Sequence, residues 1–309
     1  MIRFSVVIPA FNRERELPRA VASCLTQEYP DFEAIVVDDG STDATVQSIS
    51  GFSDPRLRVI QHGVNRGQGA ARNTGVRSAT GDWVVALDSD DELLPGALAT
   101  LHRHILGFGD TVERLAFSYE HDDGRISPLP ASRDETLDYA GFLAWLENRE
   151  SWDFLPCTRR FTFDTVRWAE RRWAETWLYH LDFAARFRTR LCSTAVAHVH
   201  TDAATRMRYR RRTGLVARTT AVELGEDMDR VIQCHGAALR QFAPRTFGMF
   251  LRMRAAYHFL AGERRRGLRQ SLICLRAAPL SLETWGISLV GLSSPRLFAA
   301  LRARRPLAP

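Results

Sequence analysis

Residues 88 to 92 read DSDDE, four carboxylates in five positions (Asp88, Asp90, Asp91 and Glu92), directly after the apolar run from Trp83 to Leu87. Neighbouring carboxylates repel one another unless something positive sits among them, a metal ion or the hydrogen-bond donors of a ligand. The plainer explanation is an acidic turn that caps a helix beginning near Leu94, although a turn and an N-cap use one Asp, or at most two. A second pair, Asp38 and Asp39 in DDGSTD, also follows an apolar run, and reads either as acceptors for a ligand or as an Asp-rich turn before a helix. His198 and His200 in VAHVHTD stand at strand spacing, so their rings share a face. Two histidines alone are as easily a surface pair as a metal site.

The elements that position these groups follow from the apolar pattern. RFSVVI at 3–8 and FEAIVVD at 32–38 are runs typical of buried strands. Between them Leu17, Val21, Cys24 and Leu25 recur at helical spacing, with Pro18 suited to a first turn. The alternation continues with a helix over 44–49, a strand over 57–61, a helix over 68–79 and a strand over 83–87. This pattern predicts an α/β fold with a mainly parallel sheet and helices on both faces. Ligands of such sheets bind beyond the carboxyl ends of the strands, and PAFN, DDGSTD, GVNRGQG and DSDDE all fall there. Beyond residue 110 the pattern predicts two strands around an Asp-Gly turn between Val112 and Leu129, then helices over 137–147 and about 175–187. From about 219 it is helical, with breaks at Pro244, Pro279 and Pro295.

Composition bounds the class. A chain of 309 residues with 45% hydrophobic and 25% charged residues can bury a large core as one large domain or two units. All 42 basic residues are Arg, a bias that points to a GC-rich coding genome rather than a phosphate-binding surface, and no nucleic-acid partner is expected. Five scattered cysteines, Cys24, Cys157, Cys192, Cys234 and Cys274, argue against a disulfide framework and read as buried thiols of a reducing cytoplasm. The first apolar run is too short for a signal peptide, and no stretch reaches the length of a membrane span. The net charge of +6 is uneven: from residue 201 onward about 20 Arg stand against about 7 acids. A basic region on an acidic body suits an anionic partner such as a membrane surface, and a solvated helical surface equally well.

Two ligand chemistries compete for the expected cleft. PAFNRERE after the first strand lacks the glycines of a dinucleotide fingerprint, and GQGAARNTG at 67–75 carries Arg72 where a third glycine belongs. A guanidinium there obstructs close helix packing but suits a phosphate contact; the alternative is an ordinary exposed helix residue. Phe11 is either a wall of a nucleotide pocket or plain core. Hydride transfer is thereby disfavoured.

Taken together, SVVIPAFNRERELPRAVASCLTQ, FEAIVVDDGSTDAT and NRGQGAARNTGVRSATGDWVVALDSDDELLPGAL resemble the N-terminal half of glycosyltransferase family 2, inverting enzymes of the GT-A fold. The resemblance runs from residue 4 to about 100 and implies roles for the matching positions. Pro9, Ala10, Phe11 and Asn12 would form the loop that cradles the nucleotide. Asp39 would accept a hydrogen bond from the base with Asp38 supporting it, Arg72 would face the diphosphate, Asp88 would reach the ribose, and Asp90, with Asp91 close by, would hold Mn2+ or Mg2+. His200 is the nearer match to a family histidine that approaches the metal or the diphosphate. The family's general base is usually the Asp of a Glu-Asp pair at the start of a helix. Here the pair reads Glu175-Thr176, which leaves Glu175 as the candidate base, Asp182 as a weaker one, or an enzyme impaired in catalysis.

The expected organisation is a nucleotide-sugar-binding half over 1–110, an acceptor-binding half over 111–215, and a helical C-terminal extension over 216–309. The expected function is inverting transfer from a nucleotide diphosphate sugar, a UDP-sugar in first place, to a hydroxyl-bearing glycan, lipid-linked or small-molecule acceptor. The competing readings are a sugar-nucleotide-binding protein without catalysis and a basic membrane-associated scaffold. The Arg-rich helices suit peripheral contact with the inner face of the cell membrane, or a homo-oligomer.

Overall fold

A computed structural model describes residues 2–108, 111–127, 134–148, 154–171, 176–200 and 218–277. The chain divides into two compact units, one of residues 1–142, 149–172 and 182–203, the other of residues 143–148, 173–181 and 204–309.

The first unit is built on one sheet of ten strands. β1 (Phe4–Ala10), β2 (Phe32–Asp38), β3 (Leu57–Gln61) and β4 (Trp83–Ala86) are parallel in the order β3-β2-β1-β4. The remaining strands in chain order are β5 (Asp91–Leu93), β6 (Arg114–His121), β7 (Ile126–Ser127), β8 (Glu135–Leu137), β9 (Leu155–Arg159) and β10 (Thr189–Val199). β9 joins the parallel half through antiparallel pairing with β4, and the sheet continues β9-β6-β10-β5. β10 runs parallel to β6 and antiparallel to β5. The expected α/β class with a mainly parallel sheet is therefore what the chain adopts in its N-terminal half, and the sheet turns mixed beyond β4.

Alternation along β1 sorts the layers. Phe4, Val6 and Ile8 pack with Leu17, Val21 and Cys24 of α1 (Leu17–Leu25) and with Leu98, Leu101 and Ile105 of α3 (Ala97–Phe108) in one buried cluster. Val7 faces the other way, towards α2 (Gln68–Ser78), where a Cβ on Gly75 would lie 2.3 Å from its Cγ1. That glycine is what lets the helix lie so close to the strand. α4 (Tyr139–Glu147) and α5 (Thr176–Ala184) are the two later helices that the pattern anticipates. β6 and β7 flank a turn with Gly124 at φ 77°, as the Asp-Gly signal implies.

Three expectations are corrected. The helix over 44–49 reduces to a single 3-10 turn at Gln47–Ile49, because Asp43 and Arg13 tie down the segment before it through Thr45. Part of the acidic stretch is a strand, β5, whose pairing partner lies about a hundred residues further along the chain. Helix α3 accordingly starts at Ala97, after Gly96 at φ 73°. Among the cysteines Cys234 is exposed and the other four are buried. Burial pushes the thiols of Cys24 and Cys192 up to about 12, so both stay protonated and inert.

In the second unit α6 (Arg218–Phe242), α7 (Pro244–Leu260) and α8 (Arg264–Ala277) follow one another. Pro244 opens α7, and the Glu147 carboxylate caps it by accepting from the backbone N–H groups of Arg245 and Thr246 at 2.7 and 2.9 Å. The break between α7 and α8 falls at Gly262, φ 80°, where the sequence offers no proline. Pro279 and Pro295 lie outside the described residues. No described helix is long and apolar enough to cross a membrane.

Candidate functional site

The loops that leave β1 and β2 are stapled to each other. Asn12 takes the left-handed conformation at φ 53°, which Asn tolerates better than most residues. Its N–H donates to Ser41 Oγ at 2.9 Å, and its Oδ1 accepts from Thr42 N–H at 2.9 Å. One step on, Arg13 N–H donates to Thr45 Oγ1 at 2.7 Å. Pro9 and Ala10 are buried as the last residues of β1, in register with Val37 and Asp38, while Phe11 is half-buried at the rim. The PAFN and DDGSTD segments therefore form one continuous wall at the carboxyl edge of the sheet.

Asp38 and Asp39 are both buried. Asp38 accepts from Ser41 N–H at 3.3 Å, an Asx-type turn. Asp39 takes three donors: Oδ1 accepts from His62 Nδ1 at 2.7 Å and Arg66 N–H at 3.0 Å, and Oδ2 accepts from Gly67 N–H at 2.7 Å. His62 in turn contacts Thr74 of α2 through Nε2 at 3.0 Å. A Cβ on Gly40, at φ 73°, would lie 2.7 Å from the Val64 carbonyl carbon, so only glycine fits between the two loops. Asp39 thus holds the loop between β3 and α2 in place.

The acids after β4 are held differently. Asp88, Asp90 and Asp91 each bring a carboxylate oxygen within 4.8 Å of the others. Three arginines surround them. Arg72 donates to Asp88 Oδ1 at 2.6 Å, Arg13 lies 4.0 Å from Asp90 Oδ2, and Arg19 donates to the Asp90 carbonyl at 2.9 Å. Gln68 Nε2 adds a second donor to Asp88 Oδ1 at 3.0 Å. Arg72 is not the exposed helix residue that one reading allowed: its side chain is 11% accessible and its guanidinium sits 5.6 Å from the Trp168 ring centroid. An all-oxygen set of close carboxylates is the donor chemistry that Mg2+ or Mn2+ prefers, so these residues fit such an ion.

Sequence reasoning missed several of these partners. His62 follows β3 at the same carboxyl edge, and the edge rule could have singled it out. Trp168 and Glu170 could not be found that way, because they reach α2 from about a hundred residues away. Asn73 fixes them by donating to the Trp168 carbonyl at 2.9 Å and to Glu170 at 3.1 Å, and by accepting from Trp168 N–H. Burial pushes the Glu170 carboxyl up, but the donors Asn73 and Arg77, with the charges of Arg77 and Arg66, hold it below the ordinary value.

Of the remaining expected residues, His200 joins His198 and Asp122 within 4.8 Å and contacts Glu92 at 2.6 Å. Asp182 lies within α5 with its carboxylate 3.7 Å from Arg186. Glu175 lies outside the described residues, and Thr176 is the first residue of α5.

With this geometry in place, comparison with known proteins identifies the class. Residues 5–177 match the family model described as glycosyl transferase family 2, more than half of the chain. The chain belongs to that family. It is 45% identical over 92 residues to the succinoglycan biosynthesis protein ExoO of Rhizobium meliloti, a match that covers 30% of this chain and 26% of that one. It is 39% identical over 104 residues to the GalNAc(5)-diNAcBac-PP-undecaprenol beta-1,3-glucosyltransferase of Campylobacter jejuni, covering 33% and 34%. The chain thus spans about a quarter to a third of the length of these relatives. Among solved structures, S. aureus TarS 1–349 in complex with UDP-GlcNAc superposes with a TM-score of 0.62 at 19% identity, over 96% of this chain and 92% of that one. That likeness shows a shared fold.

Proposed function

We propose that the protein is an inverting glycosyltransferase that moves a sugar from a nucleoside diphosphate donor, a UDP-sugar, to a hydroxyl of a growing glycan or glycoconjugate. The observation that carries this reading is the convergence of two acid groups, Asp38 with Asp39 and Asp88 with Asp90 and Asp91, on the edge where β1, β2 and β4 end, with Arg72 between α2 and the second group. Asp39 and the PAFN loop would take the nucleoside, Asp88 the ribose, and Arg72 a diphosphate oxygen once Asp88 turns to the sugar. Asp90 and Asp91 would hold the divalent cation. When bound, that ion supplies Lewis-acid stabilisation of the charge that builds on the leaving diphosphate.

For deprotonation of the acceptor hydroxyl we assign Glu175 as the base, with Asp182 as the second candidate. The longer side chain of Glu175 offsets the replacement of the usual Asp by Thr176. The name of the Campylobacter relative puts its substrate on undecaprenol, and a lipid-linked acceptor is the class we favour here. Exposed Leu268, Leu272 and Ile273 of α8 lie among Arg265, Arg266 and Arg269, a face suited to peripheral contact at the inner side of a membrane.

Calorimetric titration of UDP, GDP and dTDP with and without Mn2+ tests the donor assignment. UDP binding that needs Mn2+ and disappears in Asp90→Ala supports it; binding of no nucleotide overturns it. With the donor in hand, Glu175→Gln should lower kcat while leaving nucleotide affinity within about twofold. Thr176 also motivates a second reading, a binding protein without turnover. Tight donor binding with no transfer to any member of an acceptor panel would favour it.

A further inference from the structure

The histidines at the end of β10 gather with Asp122, while Asp88, Asp90 and Asp91 form a group of their own. In the parallel register of β10 with β6, His198 pairs with Glu120 and Val199 with His121, which sets His200 level with Asp122 just past the strand. In the antiparallel register with β5, His198 pairs with Glu92 and Val199 with Asp91. Successive strand residues face opposite ways, so Glu92 shares a face with His198 while Asp91 turns to the other. Side-chain contacts agree. Asp122 Oδ1 lies 2.9 Å from His198 Nε2 and 3.3 Å from His200 Nδ1, and the two rings are 4.5 Å apart between centroids.

The other nitrogen of His200 also meets a carboxylate. Nε2 lies 2.6 Å from Glu92 Oε1, a carboxylate that also has Arg19 Nε at 3.6 Å. With Nε2–H donated to Glu92, Nδ1 on the side of Asp122 and His198 is the nitrogen a cation would take, displacing the proton that Nδ1 otherwise shares with Asp122. Two imidazole nitrogens and one carboxylate oxygen converging within 4.8 Å, with a further carboxylate orienting one ring, is the donor set and outer partner of a transition-metal site. An anion would meet two carboxylates there, so the chemistry selects a cation. We propose that Asp122, His198 and His200 form a second divalent-cation site that takes a nitrogen-preferring ion such as Zn2+, separate from the all-oxygen acid cluster. Its ion ties the end of β10 to the end of β6, with Glu92 of β5 as the supporting acceptor.

The test needs no nucleotide, so its failure is distinct from failure of the donor assignment. Co2+ is titrated into the metal-stripped full chain, and the visible absorption of nitrogen-ligated Co2+ is followed, with Zn2+ as competitor. One equivalent of Co2+ should bind and be displaced by Zn2+. His198→Gln and Asp122→Asn should each weaken binding by at least about 100-fold. Glu92→Gln should weaken it about 10-fold, as loss of an outer partner does. The double variant Asp90→Asn/Asp91→Asn should bind as the wild type does. Zn2+ should raise the thermal midpoint of the wild type and not of His198→Gln, whose own fold is checked by circular dichroism. A Co2+ signal that is absent, that follows Asp90 and Asp91, or that requires UDP overturns the proposal. The last two outcomes would return His200 to the acid cluster.

Discussion

Asp39, at the end of β2, receives His62 and two backbone N–H groups and is 2% exposed, whereas Asp88, after β4, faces Arg72 and Gln68 with its side chain still 38% accessible. Both carry one negative charge at the same edge of one sheet. The first carboxylate is held by short, fixed donors and positions the loop over residues 62–67, with room for one more donor on Oδ2. The second is balanced by the side-chain donors of Arg72 and Gln68 and remains part-exposed, so its charge stays accessible to an incoming ligand. Repulsion among Asp88, Asp90 and Asp91 sharpens the difference, because crowded carboxylates gain from any cation that enters. The two groups should therefore fail differently when altered, the acids after β4 in binding and catalysis alone, and Asp39 in folding as well as in its hold on the nucleoside.

Asp90→Asn gives the largest expected effect. Removing a carboxylate from a cation-binding cluster should lower kcat/KM on the order of 100- to 1000-fold, as loss of a comparable electrostatic contact does elsewhere. Stability should hold or rise slightly, since one of three crowded charges is gone. Steady-state kinetics and urea unfolding on the same preparation decide the matter. A variant that unfolds easily would erase the contrast with Asp39.

Asp39→Ala is the converse. Three donors lose their acceptor in a buried place, at about 1–3 kcal/mol for each group left unsatisfied, and partial rescue by water brings the expected total to about 3 kcal/mol. Chemical denaturation should show that loss, and Asp39→Asn should recover part of it by keeping one acceptor. If Asp39→Ala unfolds at the wild-type urea midpoint, the three donors of Asp39 are not what hold the loop.

The same contrast explains what could be read before the structure was in hand. Every element of the parallel half has a local cause: β-branched runs for β1 and β2, helical spacing of Leu17, Val21 and Cys24, and the apolar run ahead of Asp88. The edge rule then placed all the acids together without any distance being known. What stayed hidden depends on partners remote in sequence. β5 exists because β10 pairs with residues 91–93, and Trp168 and Glu170 matter because Asn73 binds them. The destination of His200 was equally illegible, since it depends on Glu92 and Asp122, residues 108 and 78 positions away. The turn at 47–49 is shorter than the helix the apolar pattern predicts, because propensity says nothing about Asp43 and Arg13 binding Thr45.

Arg72→Leu probes the Asp88 side of the comparison. Losing the guanidinium removes the partner of Asp88 and, on the proposed assignment, a diphosphate contact, so donor affinity should fall about 10- to 30-fold. Arg72→Lys keeps the charge but loses the fork and the stacking over Trp168, and should recover only part of the loss. Calorimetry with UDP and Mn2+ measures both. Equal affinity of all three proteins would mean that Arg72 serves Asp88 alone.

Glu33 offers the smallest and most diagnostic effect, because like Asp39 it is buried among several donors but lies outside the site. Burial pushes its carboxyl up, yet the Thr80 N–H and hydroxyl, the Ser5 hydroxyl and Arg58 outweigh burial and hold it below the ordinary value of 4.5. A carboxylate whose folded value is depressed contributes stability in full above its unfolded value, and that contribution is lost as pH falls through the folded value. Glu33→Gln keeps one acceptor but not the charge, so it should cost about 1–2 kcal/mol at pH 7. The gap between variant and wild type should be constant from pH 7 down to about 5 and should narrow below 4.5 as the wild-type carboxylate takes up its proton. Urea unfolding across pH 3 to 7 reads the gap directly. A gap that is flat to pH 3 would show that the donors around Glu33 serve its shape and not its charge, and would remove the parallel with Asp39.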